Sequence, residues 1–144
     1  MAIAGITRFG DRTARGHAAF RCAQCGELAG VVKVARAGAA VDMGPPLGQE
    51  TQARDGVAVD YFLGTTWHAI GGGTLDAVQA AIDQGDADPV ALRSIHPELA
   101  PFYCPDCELN YCANDWAREV AFDEGFYDCT RGTCPNGHEH TIDD

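Results

Sequence analysis

The sequence predicts an α+β fold: a small antiparallel sheet with paired-cysteine turns, and a helix-and-loop insertion between the first and second of those pairs. Three observations carry this. Two segments, LAGVVKVA and GVAVDYFLGTTWHAI, are rich in β-branched and aromatic residues. Two others combine a capping residue with an apolar face at helical spacing. Finally, the Cys-x-x-Cys pairs at 22/25 and 104/107 lie far apart in the chain.

Residues 1–21 read as a short lead into the first pair. Leu28 to Ala35 has the valine content of a strand. Residues 38–56 are dominated by Gly, Pro and polar side chains and read as a long, flexible loop. Gly56 to Ile70 reads as one or two strands, and Gly71-Gly72-Gly73 then breaks the chain. Thr74 is suited to cap a helix reaching Gln84, with Leu75, Val78, Ala81 and Ile82 on one face and Gly85 as its stop. Asp88-Pro89 opens a second short helix, with a cap acceptor followed by proline at the first helical position. Phe102-Tyr103 reads as a strand, and Trp116 to Phe122 as a short helix. Phe126 to Asp128 and Glu139 to Ile142 are expected to pair around the turn at Cys134. The expected organisation is one domain over 1–144, with 27–103 as an insertion and 104–144 as a cysteine-rich subdomain.

Apolar residues make up 46% of the 144, enough for a hydrophobic core. The net charge of −11 comes from 21 acidic and 10 basic side chains. Such a surface repels a phosphate backbone, and the densest basic stretch is only Arg8, Arg12, Arg15 and Arg21, so nucleic acid is not the expected partner. A protein partner is. No stretch has the length of a membrane span and the N-terminus lacks the apolar core of a signal peptide, so a cytoplasmic, reducing setting is expected.

In that setting seven cysteines, an odd number, read as metal ligands rather than disulfides. Cys22-Ala-Gln-Cys25-Gly26 and Cys104-Pro-Asp-Cys107 each fit a knuckle that aims two thiolates at one zinc ion. Gly26 supports the first, because such turns favour positive φ after the second cysteine. Glu108 takes that place in the second. Neither pair opens the helix that a redox Cys-x-x-Cys motif needs. Cys112 follows, and Cys134-Pro-Asn-Gly-His138 is a Cys-x3-His pair around a turn. Cys112, Cys134 and His138 then form a second set. Its fourth place falls to Asp115, with Cys129, His140 or a water as competitors. Asp115 is favoured because it makes a Cys-x2-Asp pair. Two zinc ions are expected, with sequential sharing: 22/25 with 104/107, and 112/115 with 134/138. The crossed arrangement stays open. A water in the fourth place would make the Cys112/Cys134/His138 set a zinc-dependent catalytic site.

FYCPDCELNYC and GTCPNGH resemble the knuckles of treble-clef and zinc-ribbon proteins. The four ligand pairs in order also resemble the two-zinc fingers of the RING and LIM kind. The resemblance implies structural zinc, and the RING likeness implies recruitment of a conjugation enzyme. The density of structural ligands without a convergent catalytic set points to a non-enzymatic adaptor that engages a protein partner.

Other signals are weaker. His96-Pro-Glu98 before Cys104-Pro-Asp-Cys107 superficially matches a zinc deaminase, but the motifs are too close for the helices that chemistry requires. His68 reads as a partly buried strand residue and His17 as a solvated loop residue. Trp67 and Trp116 read as core. The glycine run lacks the Lys-Ser/Thr of a phosphate loop. Cys129 reads as a small buried thiol.

Overall fold

The computed structural model describes residues 5–144. Among these the fold is α+β and mostly sheet, with two α-helices and several antiparallel sheets. The largest sheet has five strands in the order β1-β2-β3-β6-β7: β1 Asp11–Ala14, β2 His17–Arg21, β3 Leu28–Ala35, β6 Gly56–Tyr61 and β7 Gly64–Ala69. Between β3 and β6 the chain leaves the sheet to form a hairpin of β4 (Ala40–Asp42) and β5 (Gln49–Thr51). The segment expected to be a flexible loop therefore contains paired backbone. The lead into the first cysteine pair likewise contains two strands, β1 and β2.

The helices cover one face of this sheet. Helix α1, Gly72–Asp83, buries Leu75, Val78 and Ile82 against Val32 of β3 and Val57 and Val59 of β6. Its three apolar positions recur at the spacing that keeps them on one side of a 3.6-residue helix. It starts at Gly72, with Gly71 at the cap and no side-chain cap bond. Thr74 is thus inside the first turn rather than capping it. Helix α2, Pro89–Ile95, behaves as expected: the Asp88 carboxylate accepts from Val90 N–H at 3.0 Å, and Pro89 takes a position where no N–H is needed. Asp88 also accepts a two-pronged bond from Arg8, at 2.9 and 3.2 Å, which fastens the N-terminal segment to this helix. At the other end of α1, Asp83 accepts from Gly16 N–H at 2.8 Å and holds the β1–β2 turn.

Beyond a single 3-10 turn (Pro97–Leu99), the chain forms a minimal hairpin of β8 (Tyr103–Cys104) and β9 (Leu109–Asn110). A three-stranded sheet follows: β10 Ala117–Asp123, β11 Phe126–Thr133 and β12 Glu139–Asp143. The expected pairing of residues 126–128 with 139–142 is shifted along β11, where Thr133 meets Glu139 and Thr130 meets Asp143. The expected helix over Trp116 to Phe122 is instead β10. Its Ala, Arg and Glu suit a helix, but full-length pairing with β11 from Ala117↔Thr133 to Asp123↔Phe126 overrides that weak local preference. Trp116, just before it, is buried and donates its indole N–H to Phe102 C=O at 3.2 Å. Trp67 packs, partly buried, against Ala35, Val41 and Ala58. No helix among the described residues is long and apolar enough to cross a membrane.

Gly30 of β3 lies directly under the Phe102 ring. A Cβ there would lie well inside van der Waals contact of the buried Phe102 ring and 3.1 Å from Asp60 C=O. We expect Gly30→Ala to destabilise the protein by ~1–3 kcal/mol in urea unfolding, as overpacking does. The exposed Leu47→Ala should stay within ~0.5 kcal/mol.

Candidate metal centres

Each paired-cysteine turn is built by its own backbone. In the first, Gly26 N–H donates to Cys22 C=O at 2.9 Å with φ +80 at Gly26. In the second, Glu108 N–H donates to Cys104 C=O at 2.8 Å. Glu108 takes φ +57, so a non-glycine residue occupies the left-handed position that the sequence made the weaker turn signal. Backbone N–H groups of Gln24 and Cys25 point at the Cys22 sulfur, and those of Asp106 and Cys107 at the Cys104 sulfur. Cys112 C=O accepts from Asp115 N–H and Trp116 N–H, both at 3.1 Å. In the last turn Gly137 N–H reaches Cys134 C=O, and Cys134 N–H reaches His138 C=O, each at 2.9 Å. These bonds curl the chain so that two side chains of each pair face one point.

The pairs then meet in two groups whose donor atoms lie within 4.8 Å of one another: Cys104, Cys107, Cys134 and His138, and Cys22, Cys25, Cys112 and Asp115. Each can hold a metal ion. The sharing is therefore crossed, which corrects the sequential arrangement expected from the sequence. The cause is topological. Cys22 directly follows β2 of the large sheet, and Ala23 N–H donates to Asn110 C=O at 2.9 Å, which places the first pair beside Cys112. Cys134 follows β11, and its turn faces the β8–β9 hairpin instead.

In the first group, Cys107 and Cys134 sulfurs are 3.7 Å apart. His138 Nδ1 lies 3.2, 3.3 and 3.8 Å from the sulfurs of Cys107, Cys134 and Cys104. In the second, Cys25 and Cys112 sulfurs are 3.5 Å apart, and Asp115 Oδ2 lies 3.0 Å from Cys22 Sγ and 3.4 Å from Cys112 Sγ. Four ligands around one ion at metal–sulfur distances of about 2.3 Å need sulfur–sulfur edges of about 3.8 Å, close to both observed separations. Asp115 thus lies with the first cysteine pair, not with Cys134 and His138. Cys112, Cys134 and His138 are not brought together, so the open catalytic set expected as an alternative is not formed.

The surroundings contain groups that the sequence reading missed or left open. Asn136, inside the last turn, donates to Cys107 Sγ at 3.1 Å. Its position between two ligands was the available signal. His140 Nε2 sits 3.5 Å from Cys104 Sγ and 3.1 Å from Asp106 Oδ2, at the margin of the first group. Cys129 is half-buried on β11 and belongs to neither group. His17 lies on β2, opposite Lys33, not in a loop. His96 and Glu98 group with His68 rather than with Cys104 and Cys107, consistent with rejecting the deaminase pattern. Burial holds the His68 imidazole below its ordinary value, with Glu98 opposing.

Both groups lie in one apolar cluster with Ala23, Tyr111, Trp116 and Ile142. All eight donors fall within residues 11–144, the span matched by a family profile described as a domain of unknown function, DUF8328. The chain belongs to the DUF8328 family. No curated protein and no solved structure matches it.

Burial shapes the protonation of this DUF8328 member. It pushes the Cys22 and Cys104 thiols up to about 12; hydrogen bonding to Asp115 adds to this at Cys22. At Cys107 burial acts the same way, but hydrogen bonds led by those from Asn136 and Tyr111 outweigh it and pull the thiol down to about 7. Asp115 is held below the usual carboxylate range, first by the Cys22 thiol that donates to it. A divalent ion reverses the situation at the raised thiols, because a coordinating thiol is deprotonated outright. At neutral pH each group has one thiol far below its pKa, so each ion must displace at least that proton. Proton competition then weakens binding as pH falls. We expect the apparent metal affinity of each group to drop at least about tenfold per unit between about pH 8 and 6, measured against a chelating indicator. A flat profile would show that these thiols are not ligands.

Proposed function

We propose that this protein is a zinc-stabilised interaction module, with one structural zinc ion in each cysteine group and an exposed hairpin that docks a protein partner. The observation that carries the reading is the make-up of the two groups. Each supplies four donors, three of them sulfur, which suits tetrahedral zinc in a closed site. Each also joins distant segments: Cys22 meets Asp115 across 93 residues, and Cys104 meets His138 across 34. Closing such loops costs entropy, and coordination offsets it, so the metals hold the fold. None of the seven cysteines forms a disulfide, in keeping with a reducing, cytoplasmic setting. The short knuckles, placed before and within small antiparallel hairpins, support a treble-clef or zinc-ribbon kinship.

The docking face we assign is the β10–β11 hairpin. Phe122 and Phe126 are 69% and 78% exposed, and Val120 and Tyr127 join them. Phe122 and Tyr127 sit opposite each other across the two strands, and Phe126 stands opposite Asp123 at the hairpin tip. Exposed apolar groups concentrated on one hairpin mark interaction surfaces. Glu119, Asp123, Glu124 and Asp128 surround them, and the whole chain carries −11, so the complementary partner is a protein with a basic surface.

The crossed sharing of ligand pairs favours one narrower version of this reading, a RING-like module that recruits a conjugation enzyme. It predicts that a charged conjugation enzyme discharges faster when the protein is added. No acceleration leaves the general docking module and removes the RING-like one.

Elemental analysis tests the metal half of the proposal. Two zinc ions per chain are expected. Asp115→Ala and Cys25→Ser should each lose one and keep the other, and Cys107→Ser should lose the other one. One ion or none in the wild type would sink the proposal. For the docking half, Phe122→Ser with Phe126→Ser should abolish retention of a basic protein partner while leaving zinc content and the melting temperature unchanged.

A further inference from the structure

A third group of donors lies away from both cysteine sets. His68 on β7, His96 at the end of α2 and Glu98 in the 3-10 turn each bring one donor atom within 4.8 Å of the others. The group spans the seam between the five-stranded sheet and the helical connection, and all three residues are half-buried.

Both nitrogens of the His68 ring have a neighbour. Nε2 is 3.1 Å from Thr66 Oγ1, and Nδ1 is 3.5 Å from Glu98 Oε2. Without an ion, Nδ1–H can donate to the carboxylate; with Nε2–H donating to Thr66 Oγ1 instead, the Nδ1 lone pair faces Glu98 and a cation between them would take that proton's place. A ring nitrogen turned inward while the other is held by an outer hydrogen bond is how proteins orient metal-binding histidines. The His96 ring completes the set, with its centroid 5.3 Å from that of His68 and its plane tilted by 45°.

We propose that His68, His96 and Glu98 form a third metal site, selective for a borderline first-row divalent cation such as zinc or cobalt. Two imidazoles and a carboxylate suit these ions, and the lack of thiolate sets the site apart from the cysteine groups. His96 and Glu98 also line a cleft of about 390 Å³ with Arg93 and Asp143. Water from the cleft can fill the remaining coordination positions, so this site is open where the cysteine groups are closed. Binding there has a cost. His96 Nδ1 accepts from Glu98 N–H at 3.2 Å, and coordination through either ring nitrogen gives up that bond, because ligation at Nε2 moves the proton to Nδ1. The third ion is therefore held less tightly than the thiolate-bound ones. The site does not depend on the docking role of the hairpin.

Titrating cobalt(II) into protein whose cysteine groups already hold zinc tests this. One further equivalent should bind, with weak visible d–d bands and no intense sulfur-to-cobalt charge-transfer band. Glu98→Gln, at an exposed enough position to leave the fold intact, should abolish that equivalent without changing zinc content, and so should His68→Ala. Thr66→Val should weaken it by about tenfold, by releasing the His68 ring. Absence of a further equivalent overturns the site and leaves His68 as a hydrogen-bond partner of Glu98. So does cobalt that binds only with charge-transfer bands, or cobalt uptake that survives both ligand variants.

Discussion

The structure depends on bringing buried sulfur atoms together. Cys22 and Cys104 have no exposed surface, and each faces other thiols, a carboxylate or an imidazole at close range. Such a gathering of soft, polar groups adds little packing energy of its own and resists ionisation while it is dry. A coordinated cation converts the same atoms into the strongest cross-link available to a chain with no disulfides. The two Cys/His/Asp groups thus stand where a larger protein would place more hydrophobic core. They share one apolar cluster, with Tyr111 and Trp116 packed between the ligand turns.

The rest of the fold serves as a frame for this arrangement. The five-stranded sheet and its helices have a separate apolar core of Phe20, Val57, Leu75, Val78, Leu92 and Phe102. Phe102 links the two regions: it packs against Phe20 with ring centroids 5.0 Å apart, and its backbone takes the Trp116 indole bond and a bond from Tyr111 N–H. The frame fixes the end of β2, hence the first cysteine pair. The β8–β9 hairpin, hydrogen-bonded to the same segment through Ala23 and Asn110, fixes the second. From the N-terminal side, Asn110 Nδ2 donates to Arg8 C=O at 2.9 Å, so the segment before β1, the helix start at Asp88 and the ligand turns are tied through a few polar bonds.

Much of this was legible in the sequence where the information is local. The valines of β3, the β-branched and aromatic run of β6 and β7, and the Asp88-Pro89 start of α2 each specify their own element. The eight side chains gathered in the cysteine groups are recognisable by type and spacing, since a gap of two or three residues between ligands is a property of one turn. Which turn faces which is not local. It follows from sheet order, and nothing within Cys22–Cys25 records that Asn110 will pair beside it. The same limit explains β10. Ala117 to Phe122 has helix-compatible residues, and only the partner strand some ten residues later makes it extended. His68, His96 and Glu98 escaped notice as a set because β7, α2 and the 3-10 turn each contribute one residue. The hairpin inside 38–56 escaped because three-residue strands leave almost no alternation to read.

The crossed ligand sharing also bears on how the chain is made. A ribosome delivers Cys22 and Cys25 long before Cys112 and Asp115, which stand 87 and 93 residues further on along the closest contacts. Through most of synthesis the first pair is a half-site, able to hold an ion only loosely and exposed to oxidants or to a competing thiol. Cys104 and Cys107 then emerge before their own partners, so both half-sites are open at once. The first group can close only after Asp115 has emerged, and the second only after the turn from Cys134 to His138. On the proposed reading, metal supply while the chain is being made, as well as the final affinity, would set the yield of correctly laced protein.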